Sequence, residues 1–350
     1  MNDKARHGLT LLLILVALFV SRPAAADSYV TILLYHRVGE DAYPATSITA
    51  SAFGDQMTWL ADHDYRVIPL SKVVAAVAAG QAPPPHSVVI TFDDTYRSIY
   101  DVAAPILAAH HYPYTLFVYT EAMEARYPDF MTWEELRELA EQPGVEIGNH
   151  GHHHAHLIQP HGQILPPEQL RGDVTTAQAL IEERLGVRPA YYAFPYGEYT
   201  DEAQAVVRNA GYRVQLTQDR GSVGVETLLH QLPRNAMVGT RGTVDMMREV
   251  LHQPPLPWQS RQPATGRLRG RVMGEISLRL THPERYWSGQ TNLFVSELGR
   301  VDAHFDPATG WLRAEVTTPL SRLFNRITAS ARRRADNAWE ITSWMVVTGE

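Results

Sequence analysis

Two adjacent carboxylates, Asp93 and Asp94, directly follow the apolar run VVITF, and a His-dense stretch, NHGHHHAHL, occupies residues 149–157. Neighbouring residues leaving a strand point in different directions, so one carboxylate can bind a cation while the other faces substrate or water. Side by side, two ionised carboxylates repel, and a bound dication would relieve that cost. The plain alternative is a helix cap ahead of Ser98-Ile99-Tyr100. His150 and His154 are four apart, a spacing that one helical turn or a compact loop brings onto one ion. Two imidazoles and a carboxylate leave coordination positions open, the design of a catalytic zinc centre, and the same set also suits non-haem iron. A surface loop with adventitious metal affinity is the other reading. The 350-residue chain has sixteen His and no Cys, which excludes disulfides, thiolate catalysis and iron–sulfur clusters. Any metal must be held by His, Asp and Glu.

Such residues need strands to present them. Short apolar runs alternate with helical patterns, as in strands joined by crossover helices. Strands are expected at 30–36, 87–92, 114–120, 145–148, 189–194 and 212–217. Several are apolar on consecutive residues, as suits a parallel sheet covered on both faces. Helical spacing is clear in Phe53, Met57 and Leu60, in Ile99, Val102, Ala103, Ile106 and Leu107, and in Leu170, Val174, Ala177 and Ile181. Thr132 is expected to cap a helix opening at Trp133. This alternation predicts an α/β fold, a distorted (β/α) barrel, with an open doubly wound sheet as runner-up. In both, chemistry gathers at the C-terminal ends of the strands. Those ends deliver His36, Asp93-Asp94, Asn149-His150 and Phe194-Pro195-Tyr196-Gly197 to one rim.

The rest of the chain divides by composition. Lys4 and Arg6 precede the apolar run Leu9–Val20, and Ala24-Ala25-Ala26 follows, so residues 1–26 read as a signal peptide cut after Ala26. The protein is therefore expected to be periplasmic or secreted. Residues 27–252 hold the (β/α) domain and residues 253–266 a Pro-rich linker. Residues 267–350 alternate polar and apolar positions and are expected to form a small all-β, immunoglobulin-like sandwich. A net charge of −7 argues against a general nucleic-acid binder, and no nucleic-acid partner is expected. Tyr35, Trp133, Phe194, Tyr196 and Tyr199 stand near the rim as candidates to stack on sugar rings, with core packing as the alternative.

TFDD (91–94), NHGHHH (149–154) and FPYG (194–197), with MTWEEL between the first two, resemble the polysaccharide deacetylases of carbohydrate esterase family four over residues 29–240. The family's late LxxH motif is supplied by LLYH at 33–36, a circularly permuted order similar to the branch that deacetylates poly-β-1,6-N-acetylglucosamine. The resemblance implies that Asp94, His150 and His154 hold a divalent metal, Zn2+ first, with Co2+ or Ni2+ as alternatives. It further implies Asp93 as general base on a metal-bound water, His36 as the acid for the departing amine, and the Tyr196 backbone N–H as oxyanion donor. Leu33, Trp133, Phe194, Pro195 and Tyr196 are the expected substrate contacts. The implied partners are the polysaccharide and, through the C-terminal domain, proteins of exopolysaccharide synthesis or export; oligomeric state is left open.

Three departures stand out. Ala193 occupies the place of an Arg in many relatives, so no guanidinium is evident to pair with Asp93. Gly151 replaces a Ser or Thr that would brace the loop between the metal histidines. The motif expected to orient the acid is not recognisable near LTQDRG (216–221). Peptidoglycan, chitin and O-acetylated xylan are alternative substrates. A weakly active surface glycan-binding protein is the alternative of another class.

Overall fold

The computed structural model describes residues 28–159 and 163–349; the expected signal peptide, 1–26, lies outside the described residues. Seven parallel strands carry the larger unit: β1 (Val30–Tyr35), β2 (Ser87–Phe92), β3 (Tyr114–Val118), β4 (Val145–Asn149), β5 (Tyr191–Ala193), β6 (Val214–Leu216) and β7 (Asn235–Ala236). They lie in the order β7-β1-β2-β3-β4-β5-β6, with a two-residue strand, Arg66–Val67, beside the start of β2. The order never reverses, which excludes the doubly wound runner-up, whose strands run outward from a switch point. Residues 232–236 join the two edges. The Thr217 N–H donates to the Leu232 carbonyl at 2.9 Å and the Leu232 N–H to the Gln215 carbonyl at 3.0 Å. Three residues on, Asn235 and Ala236 pair with Leu33 and Leu34.

The strands VTILLY and SVVITF are buried throughout, because helices and a second core cover opposite faces of the sheet. Leu33, Tyr35, Val88, Ile90, Phe92, Leu116 and Val118 pack with Phe53, Met57 and Leu60 of α1 (Ala50–Asp62). The alternate residues Ile32, Val89 and Phe117 pack with Leu70, Val73 and Val77 of α2 (Leu70–Ala78). The remaining principal helices are α3 (Ala104–Ala109), α4 (Trp133–Ala140), α5 (Pro167–Leu185), α6 (Asp201–Asn209) and α7 (Val244–Leu251). Thr132 caps α4 as expected, in a reciprocal capping box with Glu135. No helix among the described residues is long and apolar enough to cross a membrane.

The C-terminal unit is all-β. One sheet runs β8 (Trp258–Gln262), β9 (Gly274–Leu280), β13 (Trp311–Val316), β12 (His304–Asp306); the other joins Gly266–Arg267, β15 (Trp339–Val347), β14 (Phe324–Arg333), β10 (Tyr286–Val295) and β11 (Gly299–Val301). Residues from both, among them Leu278, Leu312, Leu293, Ile327 and Trp344, share one core. The Pro-rich stretch is less of a free connector than its composition suggests. It contributes β8, and the Leu256 N–H donates to the Ile341 carbonyl at 2.9 Å. Met345 and Val347 of β15 pack against Tyr192, Phe194 and Tyr199 of the larger unit.

Candidate active site

His36, Asp93-Asp94, His150 and Phe194 each follow the last residue of a strand or end it, at the C-terminal rim. Asp94, His150 and His154 offer three ligand atoms within 4.8 Å of one another. Asp94 Oδ1 lies 3.3 Å from His150 Nε2 and 3.0 Å from His154 Nε2. Asp94 and His154 both take left-handed backbone, with φ of 71° and 48°. Asp and His enter that region more readily than most residues with a side chain.

The donor set calls for a cation. The His150 Nδ1–H donates to the Ala193 carbonyl at 2.8 Å, so whenever the ring is neutral its Nε2 lone pair faces Asp94 Oδ1, a buried oxygen with no hydrogen-bond partner among the described residues. Lone pairs face one another, and only a metal ion or a proton between them relieves the repulsion. Burial pushes His150 down, yet the charges of Asp93 and Asp94 outweigh it and hold its pKa above the ordinary imidazole value. Burial likewise works against ionisation of Asp94, and the two imidazoles overcome it, holding the carboxyl well below its usual range.

Asp93 has a cationic partner that sequence reasoning did not find. Arg234, fully buried, donates from Nη1 to Asp93 Oδ1 at 2.6 Å and from Nη2 to Oδ2 at 2.8 Å. The expectation that Ala193 leaves Asp93 without a guanidinium is therefore corrected: the Arg arrives from the segment that joins β6 to β7. Its Nε donates to the Thr217 carbonyl at 2.9 Å and its backbone N–H to the Asp219 carbonyl at 3.0 Å. Burial alone would raise the Asp93 pKa; the charge and hydrogen bonds of Arg234, with His150 and His36, bring it below the ordinary value. The signal in the sequence was slight, one Arg in LPRNAM just before a two-residue strand.

The bracing of the His loop is also supplied from elsewhere. Asn149 Oδ1 accepts the Gly151 N–H at 2.7 Å, and Asp173 accepts the backbone N–H groups of His152 and His153 at 3.1 and 2.7 Å. A Cβ on Gly151 (φ 84°) would stand 2.5 Å from Asp173 Oδ2, so Gly151 leaves room for this carboxylate. Asp173 was legible in principle, as a lone acid on the buried stripe Leu170-Val174-Ala177-Ile181 of α5.

His36 Nδ1 is buried without a partner among the described residues. Burial pushes its pKa down, against the pull of Asp94 and Asp93. Tyr196 stands in left-handed backbone (φ 57°), 40% exposed, with its ring stacked on His156 at 3.7 Å. His156 in turn meets Glu198 Oε1 at 2.9 Å. Of the expected substrate contacts, Leu33, Phe194 and Pro195 are buried, and Trp133 is 8% exposed with its Nε1–H on Glu124. Those side chains offer a glycan no open surface, because packing has already used them. Tyr35 and Tyr199 are buried as well, on Gln56 and Asp219.

Residues 80–215 match the family described as polysaccharide deacetylase. The chain is 24% identical over 272 residues to the poly-β-1,6-N-acetyl-D-glucosamine N-deacetylase of Escherichia coli (strain K12), covering 67% of this chain and 40% of that protein. It is 25% identical over 194 residues to the protein of the same name from Staphylococcus aureus (strain MRSA252), covering 54% and 67%. The chain thus spans well under half the length of the Escherichia coli relative. The solved Streptococcus pyogenes deacetylase PplD superposes with a TM-score of 0.58 at 21% identity, over 64% of this chain and 99% of that one, a likeness of fold.

Proposed function

We propose that the protein hydrolyses N-acetyl groups of an N-acetylglucosamine polymer, most simply the β-1,6-linked one named in its relatives, a reading supported by the match of residues 80–215 to the polysaccharide deacetylase family. The observation that carries the reading is the juxtaposition of Asp93, clamped by Arg234, with the Asp94, His150 and His154 cluster; Asp93 Oδ2 is 3.7 Å from His150 Nε2. Asp94, His150 and His154 would hold a divalent ion, with zinc first and cobalt or nickel as alternatives. Such an ion supplies a water acidified from a pKa of about 15.7 toward about 7 and polarises the acetamide carbonyl.

The remaining work falls to this chain's own groups. Asp93, kept anionic by Arg234, takes a proton from the attacking water. His36 gives a proton to the departing amine nitrogen, which leaves poorly without one. The Tyr196 backbone N–H donates to the carbonyl oxygen as it gains charge. The same reading includes a periplasmic or secreted location, supported by the apolar run after Arg6, and an immunoglobulin-like assignment for the C-terminal unit, supported by its two sheets around one core.

The test is acetate release from short β-1,6- and β-1,4-linked N-acetylglucosamine oligomers by protein reloaded with zinc, cobalt or nickel. Release, faster from the β-1,6 series, is the expected result. Tight glycan binding without acetate from either series would replace the enzyme by a binding protein.

A further inference from the structure

We propose that Arg326, on β14 of the C-terminal unit, is a positioning residue for the deacetylase site, tying the turn that carries Tyr196 to the loop that holds Arg234. The proposal rests on the deacetylase reading for its catalytic consequence and on geometry for the rest. Arg326 Nε donates to Asp219 Oδ1 at 3.1 Å, and its Nη2 donates to the Gly197 carbonyl at 3.0 Å. Gly197 directly follows Tyr196. A Cβ on Gly197 (φ 64°) would stand 2.6 Å from Gln218 Cβ and 2.8 Å from Arg326 Nη2, so the glycine lets the turn lie close to both Gln218 and the guanidinium.

Asp219 is the hub of the connection. It is 1% exposed, its Oδ2 accepts the Tyr199 hydroxyl, and its backbone carbonyl accepts the Arg234 N–H. Arg326 is its salt-bridge partner. Arg261, which also senses the charge of Asp219, donates hydrogen bonds to Gln231 and Thr265 instead. Removing Arg326 leaves a buried carboxylate without its ion pair, and such a group recruits water or moves. Any movement of residues 217–219 displaces both the carbonyl under Arg234 Nε and the carbonyl under its backbone N–H, and so the fork on Asp93. One side chain from the β unit thereby registers two parts of the site that come from different loops. The planar fork of Arg suits two acceptors at once, which a single ammonium does not.

The experiment compares wild type, Arg326→Ala, Arg326→Lys and, as a control on the same strand, Arg332→Ala, all in the full chain. Four readouts are taken: acetate release, zinc stoichiometry by titration, melting temperature, and the Arg234 Nε–H resonance in 15N spectra. Arg326→Ala is expected to lose about 10- to 100-fold in kcat, keep full zinc stoichiometry, and regain activity with guanidinium ion added below unfolding concentrations. Arg326→Lys is expected to fall between wild type and Arg326→Ala, and Arg332→Ala to match wild type. The Arg234 resonance should shift in Arg326→Ala but not in Arg332→Ala, a result read without any substrate. An unshifted Arg234 resonance overturns the proposal. So does a kcat loss matched by an equal loss of zinc sites, which would mean simple unfolding. If wild type releases no acetate while the resonance still shifts, the deacetylase reading fails and the positioning contact stands.

Discussion

Arg234 grips both oxygens of Asp93 from 141 residues away in the chain, and both side chains are fully buried. A bidentate pair of this kind fixes the carboxylate's plane as well as its charge. It also brings the Asp93 pKa below the ordinary carboxyl value, which favours the anionic form.

Arg234→Met should therefore do two kinds of damage. It leaves Asp93 as an uncompensated buried charge, a loss of about 3–5 kcal/mol in stability by urea or thermal unfolding. The sign with pH follows from the lowered Asp93 pKa: the stabilisation is present above the unfolded Asp value, about 3.9, and is lost as pH falls through the lower folded value. In Arg234→Met the acid limb of kcat/KM should move to higher pH, because burial then acts unopposed by the guanidinium. An unmoved limb would show that Arg234 does not set the base. Asp93→Asn should abolish turnover and leave metal binding intact.

Protons and metal compete for one site. Because His150 is held above the ordinary imidazole value by Asp93 and Asp94, zinc affinity should fall as pH drops from about 8 to about 6, with protons released on binding. Calorimetric titration in two buffers of different ionisation enthalpy counts those protons. Chelation should stop acetate release and zinc restore it. Affinity flat across that pH range would exclude His150 as a ligand.

Gly151→Ser restores the hydroxyl whose absence is a departure from related chains, yet it should harm this protein. Its Cβ would crowd Asp173 Oδ2 and occupy left-handed backbone, a strain of about 1–3 kcal/mol. A lower melting temperature together with weaker zinc binding is the expected outcome. In the double variant Gly151→Ser/Asp173→Ala the crowding is removed, and the part of the melting loss that comes from the added side chain meeting the carboxylate should disappear.

The exposed ring of Tyr196, stacked on His156, lies 4.5 Å from the His154 ring, beside the Asp94, His150 and His154 group. Tyr196→Ala keeps the backbone N–H and removes the ring, so KM for the glycan should rise with kcat nearly kept. The loss corresponds to about 0.5–1.5 kcal/mol of stacking. His156→Ala should give a smaller rise in KM, because the ring of Tyr196 remains but loses its support. A kcat loss in Tyr196→Ala at constant KM would contradict a substrate-facing role for the ring.

Local pattern carried a large part of this molecule. The six strands at 30–36, 87–92, 114–120, 145–148, 189–194 and 212–217 all appear, some shorter at one or both ends, because apolar runs bounded by turns have few other uses in a soluble domain. The grouping of Asp94, His150 and His154 was legible for the same reason. Asp94 and His150 lie just past strand ends and His154 in the loop that follows, so knowing the strands meant knowing that the residues share a rim. The closing strand Asn235–Ala236 escaped notice, since two residues have no periodicity to read.

What the sequence determined by itself was the alternation of strands and helices, the absence of thiol chemistry, and the residue types at each strand end. What only the tertiary structure decided was which distant groups complete them. Arg234 on Asp93, Asp173 under Gly151 and Arg326 on Asp219 are single long-range contacts, and one side chain crossing a core leaves no repeat in the chain that contains it. Tertiary structure decided burial in the same way: Leu33, Phe194 and Trp133 look alike in sequence whether they face solvent or a helix. The fold spends them on packing and leaves Tyr196 in the open.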